Sequence, residues 1–187
     1  LGVLIANLGT PDSPHPRDVR RFLKEFLSDP RVVEAPRWMW RLILHGVILR
    51  VRPARSAEAY RQIWTDAGSP LLLHSRALVD KLQEKLAQRD IVVALGMTYG
   101  NPSIASALRN LQAHGARRLL VLPLYPQYSA TTTAAAVDRV TAELRRWRWL
   151  PELRIVTSYA DEPAYVEAVA HSIEAHWQLT GPSHLLF

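Results

Sequence analysis

Apolar and polar positions along the chain alternate between two periods. Val3–Leu8 is an apolar run, the pattern of a strand covered on both faces. Similar runs recur at Ile91–Thr98, Arg118–Leu124 and Leu153–Ser158, and His184–Phe187 has the look of a fifth strand beginning. Between them the spacing becomes helical. Pro16 suits the first turn of a helix through Leu27, which Ser28-Asp29-Pro30 ends. Arg37–Leu49 is apolar and Trp-rich, and the spacing predicts a helix. Ser56–Ile63 reads as a separate short helix with Ser56 as its N-cap. Leu78, Val79, Leu82 and Leu86 put an apolar stripe on a helix over Arg76–Gln88. Further helices are expected at Ser103–His114, closed by Gly115, at Thr131–Trp147, and at Glu162–Gln178 with Pro163 in its first turn.

Strands alternating with helices mean a parallel sheet with right-handed crossovers. The expected class is α/β, a three-layer flavodoxin-like or Rossmann-like domain on a four-stranded parallel sheet. In such sheets ligands collect at the carboxyl ends of the strands. The unusual segments fall there: Asn7-Leu8-Gly9-Thr10-Pro11, Thr98-Tyr99-Gly100-Asn101-Pro102-Ser103, Leu124-Tyr125-Pro126-Gln127-Tyr128-Ser129 and Ser158-Tyr159. They are rich in Tyr, Ser, Thr and Gly. G-x-G-x-x-G and the P-loop pattern are both absent, which disfavours a nucleotide. The loops suit a flat, mostly apolar ligand met by rings and hydroxyls. The plainer alternative is that these tyrosines only cap the sheet.

Composition narrows the chemistry. The 187 residues suit one domain or slightly more. There is no Cys, so this segment holds no disulfide, no Cys nucleophile and no iron–sulfur cluster of its own. The net charge of +6 suits an anionic partner. No basic-aromatic nucleic-acid module is visible, so none is expected to bind. Glu167, His171 and Glu174 share a helical face and could hold a divalent cation, although a solvated stripe is the plainer reading. His45 and His74 stand alone.

Several stretches together resemble the ferrochelatase family, in its bacterial branch. They are Leu4-Ile5-Ala6-Asn7-Leu8-Gly9-Thr10-Pro11, Phe22-Leu23-Lys24-Glu25-Phe26-Leu27-Ser28-Asp29, Ser56-Ala57-Glu58-Ala59-Tyr60, and Ile63-Trp64 with Gly68-Ser69-Pro70-Leu71. Met97-Thr98-Tyr99-Gly100-Asn101-Pro102-Ser103 and Leu122-Pro123-Leu124-Tyr125-Pro126-Gln127-Tyr128-Ser129-Ala130-Thr131-Thr132-Thr133 complete the set. The resemblance implies two similar α/β domains around a porphyrin cleft. Residues 1–160 would be the first, and 161–187 would lead into the second, truncated at its start. It also implies insertion of ferrous iron into protoporphyrin IX, with iron a substrate and no cofactor required. A coproporphyrin substrate is the other possibility within the family.

The same resemblance implies porphyrin-binding roles for Leu8, Arg52, Tyr60, Ser69, Tyr125, Ser129 and Thr131. It places the catalytic His after Phe187, in a Ser-x-His-Gly segment, so no catalytic or metal-binding residue is expected here. Trp, Leu, Ile and Arg alternate from Arg37 to Arg52, which suits either a lip over the cleft that touches the inner face of the cytoplasmic membrane, giving a cytoplasmic, peripheral protein, or a helix packed on the sheet. A non-catalytic porphyrin-binding or interaction module is the alternative of a different class.

Overall fold

The computed structural model describes residues 1–184. Four parallel strands form one sheet in the order β2-β1-β3-β4. They are β1 (Gly2–Thr10), β2 (Val92–Gly100), β3 (Arg118–Pro123) and β4 (Glu152–Ile155). The helices are α1 (Pro16–Leu27), α2 (Arg37–Ile43), α3 (Leu49–Ile63), α4 (Pro70–Leu86), α5 (Ile104–Ala113), α6 (Ala135–Leu144) and α7 (Pro163–Thr180). Of the fifth strand expected at 184–187, His184 is irregular, and the rest lies outside the described residues.

The apolar run of β1 is explained by two covered faces. Leu4 and Ala6 pack with α5 and α6 through Ile104, Leu108, Leu111, Val140 and Leu144. Val3 and Ile5 pack, with Val93, Leu95 and Met97, against Leu72, Val79, Leu82 and Leu86 of α4. Successive strand residues point to opposite faces, so a doubly covered strand must be apolar at both parities. Each Val, Leu, Ile or Met among them contributes about 1.5–3 kcal/mol by leaving water. A third cluster gathers α1, α3 and the segment between α2 and α3 around Tyr99, at the carboxyl end of the sheet.

The structure corrects one stretch of the sequence reading. Ser56 does not cap a helix; it lies inside α3, which starts at Leu49. Leu44–Ile48 is a π-helical turn that joins α2 to α3, so helical structure runs unbroken from 37 to 63. Pro53 made a break look necessary, because proline cannot donate to the carbonyl four residues back. That carbonyl belongs to Leu49, and the Arg20 Nε of α1 donates to it instead at 3.0 Å. A tertiary hydrogen bond thus replaces the missing helical one. Other boundaries differ less. α4 begins at Pro70 rather than Arg76, β4 ends at Ile155, and a π-helical turn at Ala130–Ala134 precedes α6.

Candidate functional site

The strand order reverses direction between β1 and β3: the chain passes from β1 to β2 on one side, then returns to β3 on the other. Open parallel sheets bind ligands at such a switch point, outside the carboxyl ends of the strands. Here β1 delivers Asn7 and Leu8, and β3 delivers Leu124 and Tyr125. The two are tied together by the Leu124 amide, which donates to the Ala6 carbonyl at 2.7 Å. The Asn7 amide nitrogen donates to the Ser75 hydroxyl at 3.0 Å, and its oxygen accepts from the Leu8 amide at 2.8 Å. One side chain therefore holds both α4 and the end of β1.

The end of β2 is held from the other side. Tyr99 is fully buried, and its hydroxyl donates to Asp29 at 2.9 Å. The Gly100 amide donates to Glu25 at 3.0 Å. Arg139 of α6 stacks over the Tyr99 ring, 5.3 Å from its centroid, and lies 3.6 Å from Glu25 and 3.9 Å from Asp29. Burial is the main reason the Tyr99 phenol is pushed far above its ordinary range, and the bond to Asp29 adds to it.

Beside this braced strand end lie hydroxyls with nothing to bond. Thr98 is 3% exposed and its hydroxyl has no partner; the Tyr125 hydroxyl is likewise buried and unpartnered. The Tyr125 phenol is raised well above its usual value, chiefly by burial, and the neighbouring Thr98 hydroxyl opposes that only in part. The two groups are neighbours, yet they form no well-directed hydrogen bond. A buried hydroxyl without a partner costs about 1–3 kcal/mol. Such a pair at a switch point is what a site looks like when it is built for a polar contact made by a ligand.

Among the seven expected ligand-binding positions, Leu8 and Tyr60 pack on the same apolar cluster as Tyr99. Tyr60 meets Phe22 and Trp64 edge-on, with centroids 6.5 and 6.2 Å away. Burial raises its phenol, and the Arg52 charge opposes that in part. Arg52 is exposed and lines an open groove of about 570 Å³ with Val47, Val51, Arg55 and Ala59. Ser129 and Thr131 face each other, their hydroxyls 2.9 Å apart, and the Ser129 hydroxyl accepts from the Thr131 amide at 3.3 Å. Ser69 is buried at the start of α4, where its carbonyl accepts from the Leu73 amide; no hydrogen bond joins it to the other six.

A hollow of about 610 Å³ between α1 and α6 is lined by charges of both signs, including Lys24, Glu25, Asp29, Arg37, Asp138 and Arg139. It suits a flat apolar ligand less well than the strand ends do. Among the described residues, no group of three His, Cys, Asp or Glu side chains is placed to share a metal ion, and Glu167, His171 and Glu174 form no such group.

Asp29, Glu25 and Arg139 do not emerge from sequence patterning as parts of the site. Asp29 reads as a helix-stop residue before Pro30, and Arg139 as a polar position on an amphipathic helix. Only the fold brings them to Tyr99.

Tyr125→Phe provides a direct check on the unpartnered hydroxyl. Removing it should stabilise the unliganded chain by about 1 kcal/mol, raising Tm by about 2–4 °C. It should also change the alkaline response. A phenol held above its ordinary value near 10 keeps its proton in the folded state while the unfolded chain loses it. That contribution is present below pH 10 and is lost as the pH rises further. The Phe variant should therefore lose less stability between about pH 9 and 11. Urea midpoints across that window measure both effects, and a destabilised variant would mean that the hydroxyl already has a partner.

Comparison with known proteins decides the family. The family model for ferrochelatase matches residues 1–187. The chain belongs to the ferrochelatase family. It is similar to the ferrochelatase of Marinobacter nauticus, 54% identical over 180 residues, covering 95% of this chain and 49% of that protein. It is also similar to the ferrochelatase of Idiomarina loihiensis, 52% identical over 184 residues, covering 97% of this chain and 50% of the relative. With ferrochelatase 2 of Shewanella oneidensis it shares 52% identity over 175 residues, which is 92% of this chain and 54% of the relative. The chain thus spans about half the length of these curated ferrochelatases.

Proposed function

We propose that this chain forms a porphyrin-binding wall of a protoporphyrin ferrochelatase, the whole of which inserts ferrous iron to form protohaem. The observation that carries the reading is the exposed Arg52, which shares α3 with Tyr60 and lines a groove with Val47, Val51 and Ala59, while Tyr60 and Leu8 pack on the apolar cluster around Tyr99. A porphyrin is flat and apolar, with two propionates on one edge. Rings and aliphatic faces suit the macrocycle, and an arginine fork suits a carboxylate. Ser69, Ser129 and Thr131 add hydroxyls for the polar rim, and Tyr125 adds one beneath the strand ends.

Iron enters as substrate in this reading, and no resident cofactor is required. Insertion puckers the ring and releases two pyrrole protons. Binding energy on the propionates and macrocycle offsets the distortion, which is the share assigned to this chain. The base that accepts the protons is assigned to the further length that the relatives have. Protoporphyrin titrated into the chain should quench Trp fluorescence saturably, with no iron or zinc insertion above the uncatalysed rate. Absence of saturable binding sinks the reading, and insertion near the rate of longer relatives sinks the division of labour.

We further propose peripheral membrane contact through 37–52, on the cytoplasmic side. Trp38, Leu42, Val47 and Val51 are all more than half exposed there, among arginines. Trp, Leu and Arg together suit a bilayer interface. Among the described residues no helix is long and apolar enough to cross a membrane. Trp38→Ser/Leu42→Ser should abolish co-flotation with anionic vesicles; flotation equal to that of the unaltered chain would refute the contact.

A further inference from the structure

A second surface lies at the opposite end of the sheet, at the amino ends of β3 and β4. The seven residues from Arg145 to Pro151 join α6 to β4 and contain three arginines, with Trp149 47% and Leu150 62% exposed. Arg117 stacks on the Trp149 ring at 4.6 Å, and Arg118 stands in register with Glu152. The chain carries these charges in separate segments, and the fold brings the segments together. Arg146 and Arg154 have carboxylate partners in Glu143 and Glu152. Among the described residues, Arg117, Arg118, Arg145 and Arg148 have none within ion-pair distance.

The patch adjoins an open sheet edge. β4 is the last strand, paired only with β3 among the described residues. The amides of Glu152 and Val156 donate to the carbonyls of Arg117, just before β3, and of Val121 within it. In a parallel strand alternate residues turn their main-chain groups to opposite edges. The N–H and C=O groups of Leu153 and Ile155 therefore face outward, where no other strand meets them among the described residues. Short length and flanking charge protect such an edge from indiscriminate pairing. Here the flanking charge is mostly uncompensated and of one sign, which selects as well as protects.

We propose that this surface binds an acidic, extended polypeptide segment that adds alongside β4. Main-chain hydrogen bonds to Leu153 and Ile155 would supply part of the affinity, and the unpaired arginines would select carboxylates. Trp149 and Leu150 offer an apolar anchor of the kind that concentrates binding energy. Neither a bilayer nor a nucleic acid can use the strand edge. A second copy of this chain meeting face to face would set arginine against arginine.

The test is fluorescence anisotropy with a labelled peptide alternating Glu and Val. Binding is expected with Kd on the order of 10 µM, weakening as salt rises. Arg145→Glu/Arg148→Glu changes only exposed side chains and should lose at least about tenfold. The same peptide N-methylated at alternate residues cannot pair with an edge and should lose a similar factor. Equal binding of the N-methylated peptide overturns the proposal. So does equal binding by the charge-reversed chain, tighter binding of phosphatidylglycerol vesicles or single-stranded RNA, or self-association of the chain at the concentration used.

Discussion

Gly9→Ala should leave little or no folded protein. Gly9 lies within β1, opposite Tyr99 of β2, with φ at +108°. A methyl group placed there would come within 1.8 Å of the Tyr99 carbonyl oxygen. That is well inside any tolerable contact, and the obstacle is main chain, which cannot rotate away. The backbone conformation adds strain of its own, because an L side chain rarely adopts it. Together these should cost about 4 kcal/mol or more, a large share of the stability of an ordinary domain. Gly115→Ala separates the two contributions. Gly115 also has positive φ, at +75°, but an added methyl group there meets nothing. It should cost only about 1 kcal/mol. Urea denaturation of both variants checks the contrast. A Gly9→Ala chain as stable as the Gly115→Ala chain would show that β1 and β2 can separate at Tyr99 without loss, and that the close approach is not required.

The same place shows what could be read from the sequence and what could not. The strands, the crossovers and the three layers were legible because β1, β2 and β3 are apolar at both parities, which only a doubly covered strand requires. The site's location followed, since Asn7, Tyr99 and Tyr125 end those strands. Gly9 looked like the start of a loop, however, and it lies within β1, where a side chain would run into the Tyr99 carbonyl of β2. Pro53 looked like a break, because nothing in its neighbourhood reveals that Arg20 would reach the Leu49 carbonyl. The bracing of Tyr99 by Asp29, Glu25 and Arg139 joins residues far apart in the chain through single contacts, which leave no periodic trace. Local patterning thus reports what each element buries. It is silent on polar contacts between elements, and those set the geometry of the site.

Arg52→Ala should weaken protoporphyrin binding by about tenfold, while the chain's stability changes by less than about 0.5 kcal/mol. Arg52 is exposed and has no ion pair among the described residues, so the fold does not depend on its charge. A propionate would supply the missing partner. Arg52→Lys distinguishes a fork from a point charge. Guanidinium meets a carboxylate with two parallel hydrogen bonds, whereas an ammonium does not, so Lys should recover only part of the affinity. Raising salt should narrow the difference between Arg and Ala, since an interaction at an exposed position is screened. Tyr60→Phe provides the matching control on the neighbouring ring. It keeps the aromatic face against Phe22 and Trp64 and removes only the hydroxyl, so its loss should be smaller than that of Arg52→Ala. Esterified porphyrin, with its two charges removed, should bind the unaltered chain and the Arg52→Ala chain equally. An Arg52→Ala chain that still prefers the free acid over the ester by the unaltered factor would place the propionates elsewhere, and would remove Arg52 from the site.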